Sequence, residues 1–370
     1  MAFGKNKQMT SLIISLLLLF ILVFYPKECA EGIKEGLNNS GELIIPSLFP
    51  YMLLSSFILR TRALKPIDRV ISPLTMKIFD LPRECTSAII MSFIGGFPVG
   101  AKCVSILYKQ KTINSEQAQR MMYFCICSGP SFLITGIGTI MLHNYTAGMI
   151  LYISQLISGM MIGISVGLYS RIKRNKKCSV TENKNTASPQ GISDSFISAA
   201  EDSAVSIIIM TALICFFSML ISVYKNTAVD QIFGTIRELR TVIPIFTEVT
   251  NGIISVKDTG LPVWGYSAAV GFGGMCVHFQ IKLLLKEVPF SFIRYLIFRF
   301  INCFLSVIIT KIICQLFVPY EETFIVFDNT DAQIFSAGIA GSTSMIIMCM
   351  IFLLSLRKRE LSRKLLHINA

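Results

Sequence analysis

Ser92-Phe93-Ile94-Gly95-Gly96-Phe97-Pro98-Val99-Gly100-Ala101-Lys102 lies inside a hydrophobic run from about Thr86 to Tyr108, long enough to cross a bilayer. Three glycines and a proline in six positions do not sustain a regular helix, because glycine adds backbone freedom and proline deletes an amide donor. Each backbone group freed in hydrocarbon costs several kcal/mol, so an interruption belongs where it is packed in protein or lines a polar cavity. Interrupted helices of this kind build the substrate sites of many secondary transporters. The alternative for this stretch alone is a kinked structural helix whose Lys102 snorkels to the interface.

The rest of the chain is of the same kind. Its 370 residues are 53% hydrophobic and only 15% charged, and several apolar runs reach about 18 residues or more. That composition reads as an all-α polytopic membrane protein. The net charge of +12 sits mostly in short segments beside apolar runs, such as 171–177 and 357–364. It therefore marks topology and does not form a nucleic-acid surface. The eleven cysteines are scattered, without Cys-x-x-Cys or metal-type spacing, and read as small buried hydrophobes. No cofactor motif is present. No paired catalytic carboxylates, nucleophile–base set or phosphate loop points to an enzyme.

Lys5 and Lys7 precede an apolar core at Leu12–Tyr25 with no A-x-A cleavage site, which predicts a retained first helix with a cytoplasmic N-terminus. Glu28 to Asn39 is charged and periodic, like a helix at the interface. Glu42–Leu59 carries Pro46 and Pro50, which argue against a straight helix, and Arg60 to Arg83 is basic and amphipathic. After the interrupted run comes a polar turn at Lys109–Glu116. The next apolar run, 118–142, is broken at Cys127-Ser128-Gly129-Pro130-Ser131. Tyr145–Ser170 follows, with Gly159 and Gly163 spaced for close helix packing.

This predicts a first membrane repeat over 1–170, a hydrophilic basic linker over 171–192, a second repeat over 193–356 and a basic cytoplasmic tail over 357–370. The second half echoes the first. An apolar helix at about 201–224 and an amphipathic piece at 226–240 lead to Ile243-Pro244-Ile245-Phe246-Thr247-Glu248, which echoes Ile45 to Pro50. Leu261-Pro262 echoes Leu81-Pro82, Gly273-Gly274 echoes Gly95-Gly96, and the helix 291–318 parallels 118–142. An acidic loop, Glu321 to Asp331, precedes a last helix at 334–356. About eight transmembrane segments result, with broken helices and re-entrant hairpins in two pseudo-symmetric repeats. Whether the repeats are inverted depends on the number of crossings in each. Positive charge places both termini in the cytoplasm.

Four places carry candidate solute ligands. Glu248 is the only formal charge in Ile243–Val256, beside Thr250 and Asn251, and a carboxylate at membrane depth marks a function by default. Its alternative is a wet, structural residue at a hairpin mouth. His278 and Gln280 follow the glycine pair Gly273-Gly274; the histidine either carries a proton or is satisfied by a neighbouring carbonyl. Lys102 and the amides freed around Gly95, Gly96, Pro98 and Gly100 suit an anionic group. Ser128, Gly129 and Ser131 offer hydroxyls and free carbonyls, or only small contact residues.

These stretches resemble a known family. Ile44-Ile45-Pro46-Ser47-Leu48-Phe49-Pro50, Gly96-Phe97-Pro98-Val99-Gly100-Ala101-Lys102, Ser128-Gly129-Pro130-Ser131-Phe132, Glu248-Val249-Thr250-Asn251-Gly252 and Gly271-Phe272-Gly273-Gly274 look like those of the YlbJ-type sporulation integral membrane proteins. That family carries the nucleoside-recognition, or Gate, domain, and the likeness runs in order over nearly the whole chain. It implies an architecture similar to concentrative nucleoside transporters. It further implies a role in endospore formation, where such proteins are linked to moving dipicolinate, a planar aromatic dianion, across the outer forespore membrane. Lys102 and the freed amides agree with such a solute, while His278 and Cys276 depart from the family pattern.

The expectation is a secondary transporter of a small, polar, anionic aromatic solute, driven by a proton or sodium ion, with the lipid bilayer as surroundings. No nucleic-acid partner is expected, and a homo-oligomer is left open. The rivals are a non-transporting Gate-domain scaffold for spore-envelope assembly and a nucleoside transporter.

Overall fold

The structure, a computed structural model, describes residues 2–174, 191–226 and 237–317. Most of the predicted linker and of the amphipathic piece 226–240, the acidic loop, the last helix and the basic tail lie outside the described residues. The described residues form helices and no strand.

The first helix, α1 (Ala2–Phe24), presents apolar side chains all round and is followed at Tyr25 by a 98° bend into α2 (Pro26–Asn39). α2 is the predicted amphipathic helix, but its small residues face protein. A methyl group on Gly32 would lie 2.7 Å from the Met219 α-carbon, and one on Gly36 would lie 2.7 Å from that of Cys215. Both partners belong to the long helix α9 (Ile192–Lys225). α3 (Ile45–Thr61) is one helix with Pro50 inside it. Pro46 sits in its first turn, where a missing N–H costs nothing. α4 (Lys65–Phe79) turns Ser72 and Thr75 inward and Val70 and Leu74 outward, the reverse of a water-soluble helix.

The run 86–108 does not cross the membrane in one piece. It forms α5 (Cys85–Gly95) and α6 (Phe97–Lys109), and the chain reverses between them at Gly96, φ 90° and ψ −173°, a region open to glycine. The reversal is seen in Ser92 and Gly100: a methyl on Gly100 would lie 3.3 Å from the Ser92 Cβ, whereas eight residues along one helix would separate them by ~12 Å. α7 (Ser115–Phe124) opens on a capping box between Asn114 and Gln117. After an irregular stretch through Ser128 and Gly129 it gives way to a π-helix, Ser131–Met141. The chain thus runs from α7 through this break into the π-helix.

The second half uses the same two devices. α10 (Arg237–Thr247) and α11 (Val249–Asp258) fold back at Glu248. A methyl on Gly252 would lie 2.7 Å from the Ile245 α-carbon, and the Thr241 and Thr259 hydroxyls meet at 3.1 Å. α12 (Val263–Phe272) and α13 (Gly274–Leu284) are separated at Gly273, whose left-handed φ of 91° ends α12. The long helices α8 (Tyr145–Arg174) and α14 (Phe292–Phe317) follow the two interrupted spans.

Element order therefore pairs hairpin 85–109 with hairpin 237–258, span 115–141 with span 263–284, and α8 with α14. The echo of Gly95-Gly96 in Gly273-Gly274 equates a hairpin tip with the break of a continuing span. Likewise Ile45–Pro50 begins a helix where Ile243–Glu248 ends a hairpin leg.

Among the described residues three single helices, at 145–173, 192–225 and 292–316, are long and apolar enough to span a membrane, or four spans if the bent α1–α2 pair counts as one. The described apolar helices Leu48–Thr61, Cys85–Gly95 and Ser131–Met141 are too short to cross alone, so about eight crossings are not found among the described residues. Gly159, Gly163 and Gly167 give α8 a bare face. It receives the rings of Phe93 and Phe79 and main chain of α4 and α7, the close helix packing that the spacing predicts.

Candidate functional site

Each hairpin tip rests on the break of the span that follows it. A methyl on Gly129 would lie 3.0 Å from the Gly96 amide nitrogen and 2.8 Å from the Ile94 carbonyl oxygen. A methyl on Gly274 would lie 3.0 Å from both the Glu248 α-carbon and the Val249 nitrogen. Main chain meets main chain at both places, which is possible only where a side chain is missing. The two pairs also touch, since a methyl on Gly273 would be 3.3 Å from the Phe97 ring. The Phe97 side chain, one residue past Gly96, thus reaches the break at Gly273.

Glu248 is 1% exposed. Its carboxylate caps α11, accepting from the Thr250 amide at 3.0 Å and from the Asn251 amide and side-chain Nδ2 at 2.8 and 3.0 Å. The Asn251 Nδ2 also reaches the Ser218 hydroxyl on α9. The buried negative charge is met by the start of a helix and its free N–H groups, not by a cation. Among the described residues no lysine or arginine pairs with it.

The mirror of this arrangement is Arg299, a residue absent from the candidates above. It is 1% exposed and sits on α14. Its guanidinium donates to the carbonyls of Gly271 and Phe272 at the end of α12, and to the Ile126 carbonyl just past the end of α7. The Phe97 ring of the first hairpin lies 5.3 Å away. One side chain thus ties together both broken spans and a hairpin tip. Carbonyl ends of helices favour a cation, and no carboxylate pairs with it among the described residues.

The sequence signal was available. Tyr295, Arg299, Asn302, Ser306 and Thr310 recur at helical spacing and are all buried, while Ile293, Ile297, Phe300, Phe304 and Ile308 are exposed. Asn302 donates to the Gly271 carbonyl at 3.1 Å and to Gln155 at 3.2 Å, and accepts from Ser158 at 2.8 Å.

His278 lies in the same region, its Nδ1 3.0 Å from the Tyr295 hydroxyl and its ring edge-on to Phe272. Gln280 donates to Cys276 at 3.3 Å. Ser128 is buried beside Gly129 at the first break, and Ser131 begins the π-helix. Pro98 occupies the first turn of α6, where it leaves no donor unmet. Lys102 stands apart. It lies 3.5 Å from Asp202 of α9, and Asp202 also binds Arg60 of α3. The structure therefore gives Lys102 a carboxylate partner a turn and more from the break, whereas the sequence placed it among the freed amides.

No family model matches the chain, and no solved structure does. The chain is similar to "Sporulation integral membrane protein YlbJ" of Bacillus subtilis (strain 168), with 23% identity over 328 residues, covering 80% of each protein. This likeness supports a YlbJ-type assignment, and with the apolar helices it supports an integral membrane protein.

Proposed function

We propose that the chain is a transport protein of endospore formation, a carrier and not a catalyst. It moves a small anionic aromatic solute, dipicolinate, across the outer forespore membrane, with both termini in the cytoplasm. The observation that carries this reading is the double contact of hairpin tip on broken span, Gly96 on Gly129 and Glu248 on Gly274. Short helix pairs resting on interrupted backbone are poor supports for a static membrane anchor. They provide two short elements able to move against the helices they rest on. A proton or sodium gradient is the proposed driving force.

The test is the dipicolinate content of spores from a strain lacking its own homologue, with and without this chain. Restoration of content by the intact chain supports the reading. If the deletion strain already holds normal dipicolinate and fails only in its envelope layers, a scaffold replaces a carrier.

A further inference from the structure

We propose that the Arg299 guanidinium is the carboxylate-binding group of this site, held on the carbonyl ends of α12 and of the stretch after α7. The proposal rests on the transport reading for its context and adds the residue that reads the solute's charge. Arg299 is buried, yet its partners are neutral: the carbonyls of Ile126, Gly271 and Phe272. A buried charge without a counter-charge is held at a cost that an arriving anion removes. Arginine has five N–H donors in a planar fork that matches a carboxylate, and three acceptors leave part of that fork unused.

The surroundings carry the same deficit. Ser128 Oγ, Gln155 Nε2 and His278 Nε2 are buried polar atoms without a hydrogen-bond partner among the described residues. Each is tied to the Arg299 cluster. Ser128 is two residues beyond the Ile126 carbonyl. Gln155 Nε2 is 3.3 Å from where a methyl on Gly271 would lie, and Gln155 also bonds Asn302. His278 is bonded to Tyr295, one turn before Arg299 on α14. Ser128, Gln155 and His278 can each donate a hydrogen bond, so an acceptor-rich ligand suits this cluster. The Phe97 ring beside the guanidinium adds an aromatic wall for a planar carboxylate.

The experiment measures binding of dipicolinate and of its neutral isostere, pyridine-2,6-dicarboxamide, to the purified full chain in nanodiscs, alongside flux of dipicolinate in proteoliposomes. The intact chain is expected to prefer the dianion by about tenfold or more, and Arg299→Gln to bind both probes equally. Arg299→Lys, which keeps the charge and serves if the glutamine variant does not fold, is expected to retain the preference while losing about tenfold in affinity with the planar fork. An undiminished preference in Arg299→Gln, an unchanged affinity in Arg299→Lys, or an intact chain that binds neither probe overturns the proposal. Binding of the dianion with the expected variant behaviour but without flux removes the transport reading and leaves this one standing.

Discussion

Gly100 of the first hairpin passes so close to Cys125 that a methyl group on it would lie 1.9 Å from the Cys125 carbonyl oxygen. The obstacle is backbone, at the point where the first interrupted span loses its helix, so neither side can yield by a rotamer change. Gly100→Ala is expected to destabilise the protein by about 1–3 kcal/mol and to part the hairpin from the span. Gly41→Ala, with open space around its α-carbon, is the matched control. Thermal unfolding in detergent compares them, and equal midpoints for the two variants would refute the close packing.

The interruption at 95–100 was legible because composition decides it: no helix tolerates that density of glycine and proline. Its direction was not. Glycine at φ 90° serves a reversal as well as a kink, and what selects the reversal is contact with Gly129 and Cys125, some thirty residues away. The repeat was legible as a plan but not in register. Leu-Pro pairs recur before a hairpin in one half and before a broken span in the other. Arg299 was missed because the helix 291–318 reads as one apolar run, in which Arg294, Arg299 and Lys311 look alike. Only the spacing of Tyr295, Arg299, Asn302, Ser306 and Thr310 separates the inward charge from the outward ones.

Glu248→Gln tests the hairpin tip. Three N–H groups converge on the two carboxylate oxygens, and glutamine offers one oxygen and one donor in their place. One amide is left facing a donor, at a cost of about 1–3 kcal/mol confined to the start of α11. Hydrogen exchange is expected to quicken at Thr250 and Asn251 and to stay unchanged in α8, and dipicolinate flux is expected to be lost while membrane insertion persists. Unchanged exchange together with normal flux at every pH would reduce Glu248 to a bystander.

Asp80 and Arg120 form the buried ion pair that fixes the approach to the first hairpin. Arg120 donates to the Asp80 carboxylate at 3.2 Å and to its backbone carbonyl at 3.0 Å, and Ser170 of α8 donates to the same carboxylate at 2.9 Å. Asp80 has a left-handed φ of 53°, which asparagine also tolerates, so Asp80→Asn removes charge without straining the backbone. Arg120→Met takes the guanidinium from a buried carboxylate and is expected to cost about 3 kcal/mol or more. The double variant is expected to be more stable than Arg120→Met alone. Additive losses in thermal or denaturant unfolding would mean that the two residues stabilise independently.

Lys102 gives the sharpest contrast with Arg299, because both are cations near the same breaks. Lys102 has Asp202 for a partner at 3.5 Å, in a cluster where Arg60 binds the same carboxylate. Removing Lys102 leaves the Arg60–Asp202 pair in place, so Lys102→Met creates no uncompensated buried carboxylate. Asp202 is 40% exposed at its side chain, and pairs of that exposure contribute about 1 kcal/mol or less. The variant is therefore expected to fold, and its affinities for dipicolinate and for the neutral diamide are expected to fall together by less than about tenfold. Lys102→Arg should match the intact chain, because the partner is a single carboxylate oxygen and no planar fork is used. The measurement is the same pair of binding curves that tests Arg299. A loss for the dianion alone in Lys102→Met would move the charge-reading role back to the lysine, and the Asp202 pair would then be a resting contact that the solute breaks.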